Sequence, residues 1–169
     1  LLASEGALGQ APTLVKDIYP GTSSTASASA GFERILGVSG GKGFLNGMED
    51  GNQGLWISDG TAAGTHAILD LVPVAGVDVD GTFYFGAAAQ DGGSLWKTDG
   101  TAGGTVFVSR FSTDPSVIAH VSKPTKVGSR LFFAVDDGIH GAELWTSDGT
   151  TAGTNLVKDL TPGSTGSLD

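Results

Sequence analysis

The chain has 169 residues, 28 of them glycine, no cysteine and a formal charge of −9. That length allows one domain with a real core, and the missing cysteines exclude disulfide staples, thiolate metal sites and a cysteine nucleophile. Nine Lys/Arg, none clustered, stand against eighteen Asp/Glu; such a chain repels nucleic-acid phosphates and anionic membrane surfaces, and no apolar run approaches the ~18 residues of a membrane-spanning helix.

In chain order, "LLASEGALGQAP" comes first. Gly9-Gln10-Ala11 weakly suits a small-x-small cleavage site, but Glu5 is out of place in an apolar signal core, so residues 1–13 read as a flexible tail. "TLVKDI" follows as a lone strand, matched later by "NLVKDL" at 155–160. "YPGTSSTASASAG", residues 19–31, is small and polar and reads as a surface loop or linker. The longest helical candidate, "STASASAGFERIL", lacks an apolar stripe at the helical period.

A unit then repeats three times. Trp56, Trp96 and Trp145 are each followed by an Asp-Gly-Thr turn: Asp59-Gly60-Thr61, Asp99-Gly100-Thr101 and Asp148-Gly149-Thr150. Six residues after each Asp stands a second threonine, Thr65, Thr105 or Thr154, and before each Trp an aromatic, Phe44, Phe85 or Phe133. Repetition at periods of about 20–50 residues marks solenoids and propellers. Within a copy the pattern is four short antiparallel strands. "VDV" turns through Asp80-Gly81 into "TFYFGA"; "TKV" turns through Gly128-Ser129 into "RLFFAV", then comes "DDGIHG", "AELWTS", the Asp-Gly-Thr turn and "NLVKDL". Asp-Gly between apolar runs is a strong hairpin signal. Alternation puts Phe83 and Phe85 on one face and Tyr84 on the other. The Asp of each turn is expected to accept backbone N–H groups just ahead while Gly takes the left-handed step. Each Trp is expected to pack between neighbouring sheets, on the face opposite its adjacent leucine.

The third copy, "ELWTSDGTTAGTNLVKDLTPG", resembles the ELW-x-x-DGT repeat family of bacterial exported and surface proteins. The first two copies depart from it more; Ser94 replaces the motif's Glu, and "VFVSRF" replaces "LVKDI". The resemblance covers about 150 residues, and it implies a propeller-like architecture and an extracellular or envelope setting, with no activity to carry onto particular residues.

The expected fold is therefore all-β: a propeller-like array of four-stranded antiparallel blades, with a β-trefoil as the alternative. Residues 14–169 form one repeat domain, with units near 14–65, 66–105 and 106–154 and the start of another at 155–169. Further copies of the chain, or further repeats, are expected to complete a ring.

Chemistry is sparse. Asp136, Asp137 and Glu143 suggest a loop that could take calcium, since hard cations want several oxygens, with Glu49-Asp50-Gly51-Asn52 and Asp91-Gly92 as counterparts; the spacing does not match the twelve-residue helix-loop-helix pattern. Lys16/Asp17 and Lys158/Asp159 read as edge charges that discourage strand pairing. His66, His120 and His140 fall at unrelated repeat positions, and no serine sits in a G-x-S-x-G elbow. The expected function is a non-catalytic surface scaffold that binds a protein or a cell-surface glycan. A lectin-like module, with or without calcium, and an accessory subunit of an envelope assembly or filament are the alternatives.

Overall fold

The computed structural model describes residues 2–3, 13–17, 31–49, 52–88, 93–112, 121–160 and 162–163. The strands are β1 Leu2–Ala3, β2 Thr13–Leu14, β3 Gly31–Ser39, β4 Lys42–Glu49, β5 Asn52–Ser58, β6 His66–Leu69, β7 Val72–Val79, β8 Thr82–Ala88, β9 Ser94–Thr98, β10 Val106–Arg110, β11 Thr125–Val127, β12 Arg130–Asp136, β13 Ala142–Ser147 and β14 Asn155–Lys158. There is no helix among the described residues.

Three four-stranded antiparallel meanders result: sheet I (β3-β4-β5-β6), sheet II (β7-β8-β9-β10) and sheet III (β11-β12-β13-β14). The chemistry of the first hairpin explains the regularity in sheets I and II. Asp80 and Gly81 turn β7 into β8 with φ of 52° and 85°, and Gly40 and Gly41 turn β3 into β4 with φ of 55° and 74°. Two successive positive φ values give the turn whose twist matches that of paired strands. A short β1–β2 ladder pairs Leu2 with Leu14 and Ala3 with Thr13. Residues 2–3, expected in a flexible tail, are thus tied to β2.

The sheets pack face to face in chain order. Leu36, Phe44, Leu55, Ile57 and Ile68 of sheet I form one core with Phe83, Phe85 and Ala87 of sheet II. Leu95, Val108 and Phe111 of sheet II and its continuation form a second core with Val121, Leu131, Phe133 and Val135 of sheet III. Sheet II is therefore covered on both faces, and the strand alternation shows why: Phe83 and Phe85 enter the first core while Tyr84 packs against the second. Phe44 stacks on Phe83 with centroids 4.2 Å apart, and such offset pairs add to simple area burial. The innermost strands come close here, because a Cβ on Gly37 or Gly76 would collide with the Phe83 ring.

Two expectations need correction. The sheets span Gly31–Leu69, Val72–Arg110 and Thr125–Lys158 in outline, so the strand after each Asp-Gly-Thr turn closes the unit before it. The four-strand pattern of a copy places it there too, whereas boundaries near 65/66, 105/106 and 154/155 cut the chain before it. The antiparallel ladder decides this, since β6, β10 and β14 pair with β5, β9 and β13. Phe44 is also not the counterpart of Phe85 and Phe133. Those two lie opposite Trp96 and Trp145, whereas Phe44 lies opposite Ile57 and Leu45 faces Trp56. The link between β12 and β13 differs in length from that between β4 and β5, and a slip of one residue moves a side chain to the other face.

Candidate functional site

The repeated turns form a recurring polar structure, and all three are built alike. In the first, the Asp59 carboxylate accepts the Thr61 backbone N–H at 2.9 Å and the Thr61 hydroxyl at 2.7 Å. Thr61 Oγ1 in turn accepts the Gly64 N–H at 2.9 Å, and Thr65 donates its hydroxyl to the Thr61 carbonyl at 2.7 Å. Asp99 and Asp148 repeat this with Thr101, Gly104 and Thr105, and with Thr150, Gly153 and Thr154, at 2.6–3.0 Å. The loop folds so tightly over its own carboxylate that a Cβ on Gly64, Gly104 or Gly153 would lie about on top of the Asp oxygens. That close approach is why Gly-Thr returns at a fixed spacing after Asp-Gly-Thr.

Sequence reasoning missed one member of the constellation. The hydroxyl before each Asp, on Ser58, Thr98 or Ser147, lies 2.7–2.8 Å from the second threonine's hydroxyl and accepts the N–H of the turn glycine. Since Thr65, Thr105 and Thr154 give their protons to carbonyls, Ser58, Thr98 and Ser147 are the donors of the hydroxyl pairs. The signal was present: a Ser or Thr precedes the Asp in every copy. Thr hydroxyl and N–H donation holds Asp59, Asp99 and Asp148 below the ordinary carboxylate range.

The turns also join neighbouring sheets. Gly100 sits against Ile57 and Lys42 of sheet I, and Gly149 against Tyr84 of sheet II. Lys97 Nζ donates to the Gly149 carbonyl at 3.0 Å, and Thr151 donates to the Val108 carbonyl at 2.5 Å. Gly60, the same position in sheet I, has no such neighbour among the described residues and is exposed.

The tryptophans lie on one face of each sheet, opposite their leucines. Trp56 is 2 % exposed, with Lys16 Nζ 5.9 Å from its ring centroid and donating to the Thr65 carbonyl at 2.7 Å. Lys16, expected as an edge charge, instead clamps the first turn. Trp96 is half-buried against the first core and meets Phe107 edge-on at 5.6 Å. Trp145 is half-buried against the second, meeting Phe111 edge-on at 5.2 Å.

The suggested calcium residues go to separate tasks. Asp136 accepts the Gly138 N–H at 2.9 Å, and buried Asp137 accepts the Ile139 and His140 N–H groups and the His140 ring at 2.7–2.9 Å. Burial pushes Asp137 up, but the His140 and Ile139 bonds outweigh it and hold it low; the Asp137 bond raises His140. Glu143 is fully buried on β13. Among the described residues no group of three or more His, Asp or Glu has the geometry to hold a metal ion. The counterparts Asp50, Gly51, Asp91 and Gly92, the side chains of Glu49 and Asn52, and His120 lie outside the described residues, as does most of the 19–31 stretch. No helix among the described residues is long and apolar enough to cross a membrane.

No family model matches this chain, and no curated protein matches it.

Proposed function

We propose that the chain is a non-catalytic repeat scaffold, exported to the cell surface or envelope, whose blades form a propeller-like array that binds protein partners. The observation that carries this reading is the self-sufficiency of the repeated residues. Each Asp, Thr and flanking hydroxyl is consumed in closing its own turn, so the motif supplies no free acid/base pair or activated nucleophile. Three separate meanders in a row favour a propeller over a trefoil, in which strands from all units share one barrel. The likeness of "ELWTSDGTTAGTNLVKDLTPG" to surface-protein repeats supports export.

The lectin alternative needs exposed rings for sugar to stack on. Trp56 is covered, and Trp96 and Trp145 each have an aromatic partner against them, which favours the scaffold. A glycan array probed with the intact chain, with calcium and with chelator, is the test. The scaffold reading expects no glycan retained in either condition, and calcium-dependent retention of one glycan class replaces it with the lectin.

A further inference from the structure

The interfaces between sheets I and II and between sheets II and III use the same positions, and sheet III presents that set of positions again with no sheet packed on it among the described residues. The side chain before each Trp shows it first: Leu55 and Leu95 are 0 % exposed, whereas Leu144 is half-buried. The fourth strand repeats the contrast. Each carries a bulge opposite its Trp strand, at Ile68, Val108 and Val157. Ile68 is 9 % and Val108 2 % exposed beneath the next sheet, while Val157 is 48 % exposed. Just beyond, Leu71 and Phe111 pack into the two cores, and Leu160 is 56 % exposed.

The opposite end carries the complement. Gly60 presents the turn surface that Gly100 and Gly149 bury against the preceding sheet. The seat over Trp56 and the Thr65 carbonyl is held by Lys16, within Leu14-Val15-Lys16-Asp17. The same four residues, Leu156-Val157-Lys158-Asp159, form the end of sheet III.

We infer that a second copy of this chain docks head to tail, the outer face of sheet III in one copy covering the Trp56 face of sheet I in the next, with Lys158 taking the seat of Lys16. Gly60 then meets the third strand of sheet III as Gly100 meets Ile57 of β5 and Gly149 meets Lys97 of β9. Ala62 comes over Val157 as Thr151 lies over Val108. The interface is heterologous, so it builds rings or open chains rather than an isologous pair. Residues 14–17 compete for the seat within each chain and keep association concentration-dependent.

The inference rests on the scaffold reading and names its partner. Sedimentation of the intact chain over a concentration series tests it, together with two exposed-site variants, Val157→Asp and Ala62→Arg. Wild type is expected to associate, and each variant alone to sediment as a monomer. An equimolar mixture is expected to form a one-to-one pair, because one undamaged interface remains between the two variants. Lys158→Ala is expected to weaken association roughly tenfold by removing a charge-assisted bond, and Lys16→Ala to strengthen it by vacating the seat. A wild type that stays monomeric throughout, a mixture that fails to pair, or equal effects of the two lysine variants overturns the proposal. None of those results touches the scaffold reading, which fails on glycan retention alone.

Discussion

At the residue scale, the Asp-Gly-Thr turn is a closed circuit of small side chains, and its parts are not interchangeable. Thr154 is buried and bonds on both sides, to the Thr150 carbonyl and to Ser147. Thr154→Val keeps the shape and removes both bonds, so urea unfolding should show a loss of about 1–3 kcal/mol from the groups left unpaired; an unchanged midpoint would mean water replaces them without cost. The carboxylates make the turns sensitive to acid. Their folded pKa values lie below that of an unfolded aspartate, so their stabilisation is complete above about pH 3.9 and is lost as pH falls through the lowered values. Asp137 acts in the same direction. His140 acts oppositely: its raised pKa contributes stability present below about pH 6.5 and lost as pH rises through the folded value. Thermal melts should therefore fall steeply in acid, and His140→Gln should abolish any decline between neutral and mildly alkaline pH.

At the scale of elements, Phe83 holds sheets I and II together, because it is fully buried, stacks on Phe44 and fills the space left by Gly37 and Gly76. Phe83→Ala should cost about 3–5 kcal/mol in chemical denaturation. Gly76→Ala should also destabilise, by about 1–3 kcal/mol, since the added methyl meets both the Phe83 ring and the Tyr84 carbonyl. The double variant Phe83→Ala/Gly76→Ala then becomes informative. Space freed by the ring accommodates the methyl, so its loss should be less than the sum of the two. Strict additivity would show that the backbone carbonyl, rather than the ring, is what the methyl meets.

At the scale of the whole molecule, stability runs through sheet II. It shares one core with sheet I and another with sheet III, and in a linear array each unit is stabilised mainly by its neighbours. The doubly covered strands β8 and β9 should therefore exchange their amide hydrogens most slowly, and β14 and β11 among the fastest. Hydrogen exchange read by mass spectrometry checks this directly; slowest exchange in sheet I or III would show that the cores do not couple the sheets as their packing implies. Self-association at the open face should slow exchange in β14 as concentration rises, which connects this measurement with the head-to-tail interface.

Local sequence determined much of this protein. Asp80-Gly81, Gly128-Ser129 and "DDGIHG" placed the hairpins, alternation separated Phe83 and Phe85 from Tyr84, and the Trp-x-x-Asp-Gly-Thr spacing located three turns of one design. These features are short-range, since a turn or a two-residue alternation is decided by neighbours in the chain. Pairing between strands was not legible in the same way. The ladder put Leu45 instead of Phe44 opposite Trp56, and it ends the units after β6, β10 and β14, where the four-strand pattern of a copy also ends them. Nor could sequence tell that Lys16 leaves the edge to clamp a turn 49 residues away while Lys158, in the same tetrapeptide, stays exposed. Identical residues differ there because only tertiary packing decides which sheet has a neighbour.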